Sequence, residues 1–165
     1  MTGAESAAAE LLEACLRRGW TLATCESLTG GGVGAIITAV PGSSRVYRGG
    51  LVTYATDLKI TLADVDAQFV AAHGVINART AQEMAVGART ACRTDVALST
   101  TGVAGPDGEG GVDPGVVWVG VCWPGTDGRL QVDSKLLDLP GDRAQVRAGA
   151  VVGVLEFALK RLTRH

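Results

Sequence analysis

The sequence predicts an α/β protein: a three-layer α/β/α sandwich around a mixed, mostly parallel sheet that contains one antiparallel hairpin. Three observations carry this. Short apolar, strand-like runs alternate along the chain with longer helix-like stretches, the pattern of crossover connections. The run Val116 to Trp123 is apolar on both faces, as expected of an interior strand covered on two sides. Only a turn, Pro124 to Gly128, separates it from the next strand, Leu130 to Leu139, so those two pair antiparallel.

The elements follow in order. Glu5 to Arg18 reads as a helix, with Leu11, Leu12, Cys15 and Leu16 on one face and Gly19 as its stop. Trp20 to Cys25 reads as a strand. A turn from Glu26 and a helix from Val33 to Val40 follow, ended by Pro41-Gly42-Ser43-Ser44. Gly50 to Ala55 reads as a second strand and Thr56 to Ala63 as a short helix or turn. Asp66 to Ala72 reads as another short helix. Asn77 is placed to cap a helix from Ala78 to Arg93. Asp95 to Thr101 is an apolar strand, and Gly102 to Gly115 a glycine-rich loop with Pro106 and Pro114. Pro140-Gly141-Asp142-Arg143 leads into a last helix, Ala144 to Leu162. The chain has no repeat, linker or low-complexity tract, so residues 1–165 are expected to form a single domain.

Composition narrows the function. The chain has 165 residues, 47% apolar and only 4% aromatic, so aliphatic side chains must build the core. A formal net charge of −2 gives no electrostatic footprint for nucleic acid. Lys160, Arg161, Arg164 and His165 form one basic stretch, placed where cations complement a helix C-terminus. No apolar run is long enough to cross a bilayer, and the N-terminus lacks a basic-then-apolar leader, so a cytoplasmic protein is expected. Cys15, Cys25, Cys92 and Cys122 show no C-x-x-C spacing and sit in apolar segments as small hydrophobes. No His, Asp or Glu cluster has metal-ligand spacing, and no metal is expected.

The chemistry is expected at the strand ends. Cys25-Glu26-Ser27-Leu28-Thr29-Gly30-Gly31-Gly32 places a serine at the end of a strand, before a glycine turn and a helix. Such a turn presents backbone N–H groups to an anion, either a phosphate or an acyl-transfer oxyanion. Ser27 needs a base to act as a nucleophile. His73 sits at a helix end and His165 is the last residue, so a histidine triad is poorly supported. Of the three lysines, Lys135 lies in the hairpin and Lys160 in the last helix, whereas Lys59 follows a strand end and can turn back toward Ser27. Burial would lower its pKa toward the neutral form that a base requires. Tyr54 is placed to relay the proton or orient the lysine, although spacing alone favours the simpler alternative of a surface lysine and a packed tyrosine. Glu26 adjoins Ser27 but points to the other side of a continued strand, as support for the turn. In the second glycine loop, Thr101 and Gly102 are placed to meet a carbonyl, a ribose or a phosphate. Arg143 and Arg147 share a helix face near its positive end, which calls for an anionic partner: Asp142 or a phosphate.

Together these segments resemble one family over essentially the whole chain. Glu26-Ser27-Leu28-Thr29-Gly30-Gly31 is similar to its E-S-C-T-G-G signature, and Gly50-Leu51-Val52-Thr53-Tyr54 with Lys59 to its G-x-V-T-Y-x-x-x-x-K segment. His73-Gly74-Val75, the loop Thr101-Gly102-Val103-Ala104-Gly105-Pro106-Asp107-Gly108, and Gly141-Asp142-Arg143 with Arg147 match three further motifs. The chain thus resembles the CinA C-terminal domain family, whose stand-alone members are nicotinamide-nucleotide amidases. The resemblance implies hydrolysis of nicotinamide mononucleotide to nicotinate mononucleotide and ammonia, in pyridine nucleotide salvage, with no cofactor. It implies Ser27 as nucleophile, Lys59 as general base and Tyr54 as its partner. Substrate contacts are expected from Thr29, Gly30, Gly31, Thr101, Gly102, Arg143 and Arg147. The expected partners are a small nucleotide substrate and a second copy in a homodimer, with neither nucleic acid nor membrane. Leu28 departs from the family's cysteine, and the loop from Glu109 to Pro114 departs from its usual sequence. The nucleotide-hydrolysing domain of two-domain relatives has no counterpart, so no pyrophosphatase activity is implied. The alternative class is a nucleotide-binding module of the same fold without catalysis.

Overall fold

Two helices open with the same device. Thr2 caps α1 (Gly3–Arg18) and Asp142 caps α6 (Arg143–Thr163), and in each a Glu5 or Gln145 side chain returns a bond to the cap residue's N–H. These capping boxes set both starts one or two residues ahead of the apolar pattern that the sequence shows. The computed structural model describes residues 1–164, and His165 lies outside them.

Five strands form one sheet: β1 (Leu22–Glu26), β2 (Tyr47–Val52), β3 (Val96–Gly102), β4 (Val116–Pro124) and β5 (Leu130–Asp138), in the order β2-β1-β3-β4-β5. The expected hairpin is β4–β5. The expectation of a mostly parallel sheet is corrected. β1 pairs parallel with β2 and β3, but β3 pairs antiparallel with β4 as well, so the four ladders divide equally. The reason lies in residues 103–115, a loop with no crossover helix; neighbouring parallel strands would require one. β2 begins at Tyr47 rather than Gly50, because it is a half-exposed edge strand with Gly49 and Gly50 inside it. Its register with β1 shifts by one residue between Leu22 and Ala23.

Strand alternation divides the core into two layers. Leu22 of β1, Val96 and Leu98 of β3, and Val117, Val119 and Val121 of β4 face α1, α2 (Gly32–Ala39) and α6. Ala23, Cys25, Ala97 and Cys122 face the other way, toward α3 (Thr56–Ala63), α4 (Ala67–His73) and α5 (Ala78–Cys92). The connection from β1 to β2 uses the first layer and that from β2 to β3 the second. A constant crossover handedness requires this when the chain reverses its direction across the sheet. The reversal opens a crevice at the carboxyl ends of β1 and β3, where ligands of open α/β sheets bind. Because β5 runs parallel to β1, the N-terminus of α6 emerges at the same end.

Candidate active site

Ser27 follows β1 directly, and the strand's alternation decides its surroundings. Cys25 faces the α3 layer, so Ser27 does too; Glu26 faces α2. The Ser27 N–H donates to the Thr100 carbonyl (3.0 Å), which locks the residue to the end of β3. Beyond it, Gly30 (φ 59°) and Gly31 (φ 101°) adopt left-handed backbone that only glycine enters without strain, turning the chain sharply into α2.

The Glu26 carboxylate is buried under that turn. It accepts from the Thr29 hydroxyl (2.7 Å) and from the N–H groups of Val33 (2.8 Å) and Gly34 (3.1 Å). The positive end of α2 is therefore occupied by a side chain of the protein. This corrects the expectation of a helix terminus open to a ligand. What remains is narrower: the N–H groups of Leu28 and Thr29, immediately after Ser27, donate to no acceptor among the described residues.

Lys59 enters from α3 on the other side. It is 1% exposed, and its ammonium nitrogen lies 2.9 Å from the Ser27 hydroxyl, 2.7 Å from the Thr53 carbonyl and 3.3 Å from the Tyr54 carbonyl. Its charge meets no carboxylate within ion-pairing distance among the described residues, and burial pulls its pKa below the ordinary lysine value of 10.5. The three partners suit both protonation states. As an ammonium, Lys59 donates to all three oxygens. As a neutral amine it keeps two N–H bonds for the carbonyls and turns its lone pair to the serine proton. Cys25 lies behind this pair, its sulfur 3.5 Å from the Thr53 hydroxyl, with burial raising the thiol to about 11.

Above the pair is a cleft of about 350 Å³, within the range of small-molecule sites. Ser27, Leu28 and Lys59 contribute from one side, Thr101 to Gly105 from the other, and Val75 and Ile76 form an apolar wall. Asp107 and Glu109 line it from the glycine loop. The N–H groups of Ala104, Gly105, Asp107 and Gly108 have no acceptor within the described residues. Three other grooves match or exceed it in size: about 400 Å³ between α3, α5 and β5, about 710 Å³ along β5 and α6, and about 360 Å³ between α1 and the turn before β2. Only the last is lined by a buried hydroxyl, Ser43, and no lysine or histidine lines that groove to serve it as a base.

The other expected site residues separate into two groups. Thr101, Gly102, Tyr54 and Arg143 line the cleft. Thr29, Gly30 and Gly31 do not: the Thr29 side chain is buried between Glu26 and Thr100, and the two glycines shape the turn. Tyr54 reaches Lys59 through its backbone carbonyl. Its half-exposed phenol instead accepts a bond from Arg143 (3.0 Å), and Arg143 also donates to the Gly105 carbonyl (2.7 Å). Arg147 turns to the carbonyls of Leu28 (3.0 Å) and Thr29 (3.3 Å). Asp142 is engaged as the α6 cap, so neither arginine pairs with it. Sequence reading missed the Thr53 carbonyl, since backbone acceptors leave no mark in a sequence. It also missed Asp107 and Glu109, whose only signal is their place in a loop that follows a strand.

The CinA C-terminal domain model matches residues 4–162. A CinA-like protein of Frankia casuarinae is 40% identical over 147 residues, 89% of this chain and 33% of its own length. A CinA-like protein of Gemmatimonas aurantiaca is 40% identical over 162 residues, 98% of this chain and 36% of its own. The chain thus spans about a third of the length of the curated relatives it matches. Among solved structures, the competence damage-inducible protein A of Klebsiella pneumoniae superposes with a TM-score of 0.91 at 30% identity, covering 99% of both chains. A competence/damage-inducible protein of Agrobacterium tumefaciens gives 0.87 at 28% identity, covering 99% of this chain and 98% of that one.

Proposed function

Since the chain belongs to the CinA C-terminal domain family, we propose that it is an amidohydrolase. In this reading it converts nicotinamide mononucleotide to nicotinate mononucleotide and ammonia in pyridine nucleotide salvage. One observation carries the reading: a serine hydroxyl 2.9 Å from a buried lysine whose other two partners are carbonyls.

The Ser27 Oγ attacks the carboxamide carbon while its proton passes to the Lys59 amine. The carbonyl oxygen becomes an oxyanion, for which the N–H groups of Leu28 and Thr29 are the available donors. Each such donor typically contributes about 3 kcal/mol. The C–N bond then breaks as the Lys59 ammonium protonates the departing nitrogen, releasing ammonia and leaving an ester on Ser27. Water attacks that ester, gives a proton to Lys59 and ends as part of the carboxylate. Ser27 recovers its proton from the lysine. Arg143 is the cation at the cleft rim. Its partners are neutral oxygens, so its charge is available to the substrate phosphate, with the free N–H groups of the second glycine loop beside it. Tyr54 acts here on Arg143 through its phenol and on Lys59 through its carbonyl. No cofactor enters the scheme.

The test is ammonia release from nicotinamide mononucleotide by the purified protein beside its Ser27→Ala variant. The parent is expected to turn over, and the variant to lose at least about 10⁴-fold in kcat. Binding of the nucleotide with no turnover by the parent would instead identify a nucleotide-binding module.

A further inference from the structure

We infer that Arg147 is a positioning residue that fixes the second of the two oxyanion-binding peptides after Ser27, the one carrying the Thr29 N–H, rather than a ligand for the substrate phosphate. This rests on the amidohydrolase reading above and adds to it a division of labour between two arginines on one helix face.

Arg143 and Arg147 are one turn apart on α6 and point at different things. Arg143 lines the cleft; Arg147 does not. The Arg147 Nε donates to the Leu28 carbonyl and its Nη2 to the Thr29 carbonyl, at 3.0 and 3.3 Å. Each carbonyl shares a rigid peptide plane with the N–H of the next residue. The Leu28 carbonyl therefore fixes the direction of the Thr29 N–H. The Ser27 carbonyl, which accepts from the Gly30 N–H (3.0 Å), fixes that of the Leu28 N–H. Both N–H groups without an acceptor thus sit on peptides whose carbonyl ends are tied down.

The tie also acts electrostatically. A guanidinium on a carbonyl oxygen draws electron density along the peptide and makes the opposite N–H a stronger donor, as charge-assisted bonds are. The Glu26 carboxylate holds the same turn from beneath through Thr29, Val33 and Gly34. The turn is thus clamped between an anion and a cation before any substrate arrives. Such preorganisation is what an oxyanion site requires.

The two roles of Arg147 predict different kinetics. Parent, Arg147→Ala and Arg147→Lys are assayed on nicotinamide mononucleotide and on nicotinamide riboside, which lacks the phosphate. Binding of pyridine-3-boronic acid, which gives a tetrahedral adduct with a serine, is measured alongside that of nicotinate mononucleotide, which is planar at the reacting carbon. Thermal unfolding establishes that each variant is folded.

A positioning role predicts a kcat loss on the order of 100-fold in Arg147→Ala, equal for both substrates, with KM little changed. Boronate affinity falls with it, nucleotide product affinity stays, and Arg147→Lys recovers part of the loss through a single bond. A rise in KM confined to the phosphorylated substrate, or boronate binding untouched by Arg147→Ala, would overturn the inference. Boronate capture by a parent that does not hydrolyse the nucleotide would overturn the proposed substrate, and the boronate arm would then decide the role of Arg147 alone. A parent that does neither overturns both.

Discussion

At the scale of the residue, the site turns on the protonation of Lys59. A lysine held at the cleft wall by two carbonyls and a hydroxyl has no ion-paired carboxylate among the described residues, and burial, outweighing the attraction of Cys25 and Glu109, lowers its pKa from 10.5. The base must be neutral, so activity follows the deprotonated fraction. Log kcat/KM is expected to rise with unit slope as pH increases and to level off above the lysine's pKa, at a pH below 10.5. Lys59→Arg keeps the positive charge but never releases its proton, so it should be inactive across the same range. A pH–rate profile checks both, and a parent profile that still climbs at pH 10.5 would remove Lys59 as the base. Residue type and order along the chain made Ser27 and Lys59 candidates, the family resemblance gave them their expected roles, and the structure brings the two side chains together. Type and order could not show which face of Tyr54 mattered, because a carbonyl and a phenol of one residue serve different neighbours here. Nor could they separate Arg143 from Arg147: helical spacing puts both on one face, and only the position of the Leu28 carbonyl assigns the second to it.

At the scale of the element, Lys59 is where it is because α3 lies unusually close to α5. Gly87 of α5 makes this approach possible: a Cβ there would lie 2.7 Å from the Ala63 Cα and closer still to the Ala63 carbonyl. Two effects of Gly87→Ala oppose each other. Alanine favours a helix interior by about 1 kcal/mol. Pressing a methyl into backbone, which cannot rotate away as a side chain can, costs about 1–3 kcal/mol. The second wins, so net destabilisation on that order is expected by urea unfolding. Because relief requires α3 to move outward, the variant should also lose kcat through the Ser27–Lys59 distance. Unchanged stability with unchanged kcat would mean that α3 does not depend on Gly87. The helices were legible wherever apolar spacing or a cap marked them; Asn77 caps α5 as its sequence position suggests. Thr2-x-x-Glu5 is also a capping box, but the apolar stripe begins later and leaves that helix start unmarked by its periodicity. The antiparallel direction of β3 and β4 was legible in principle from the helix-free loop between them. Apolar strands alone carry no direction.

At the scale of the molecule, the sheet gathers four chain segments at one end: the turn after Ser27, the start of α3, the loop after β3 and the N-terminus of α6. Their convergence could be read from the sequence, since each glycine-rich or motif-bearing segment follows a strand. Distances could not, and so the partners of Glu26, Arg143 and Arg147 emerge only from the packed structure. That packing also makes the site a liability for stability, with a sign that can be worked out. Lys59 has its ordinary pKa of 10.5 when unfolded and a lower one when folded. Below the folded pKa both states are protonated and the full penalty of the buried charge is present. Between the two values the unfolded state binds more protons, so stability rises with pH, by about 1.4 kcal/mol for each unit of depression. Three buried thiols act in the opposite sense. Burial raises Cys15 to about 12 and Cys25 and Cys122 to about 11, from 9.0, so they lose stability as pH rises above 9.0. The thiols are common to the parent and to Lys59→Met, and to first order they cancel in the difference. Urea unfolding of both proteins from pH 7 to pH 10 should therefore give a parent-minus-variant stability that climbs with pH. A flat difference would mean that Lys59 titrates as an ordinary lysine, and that the neutral base on which the chemistry depends is not built into the fold.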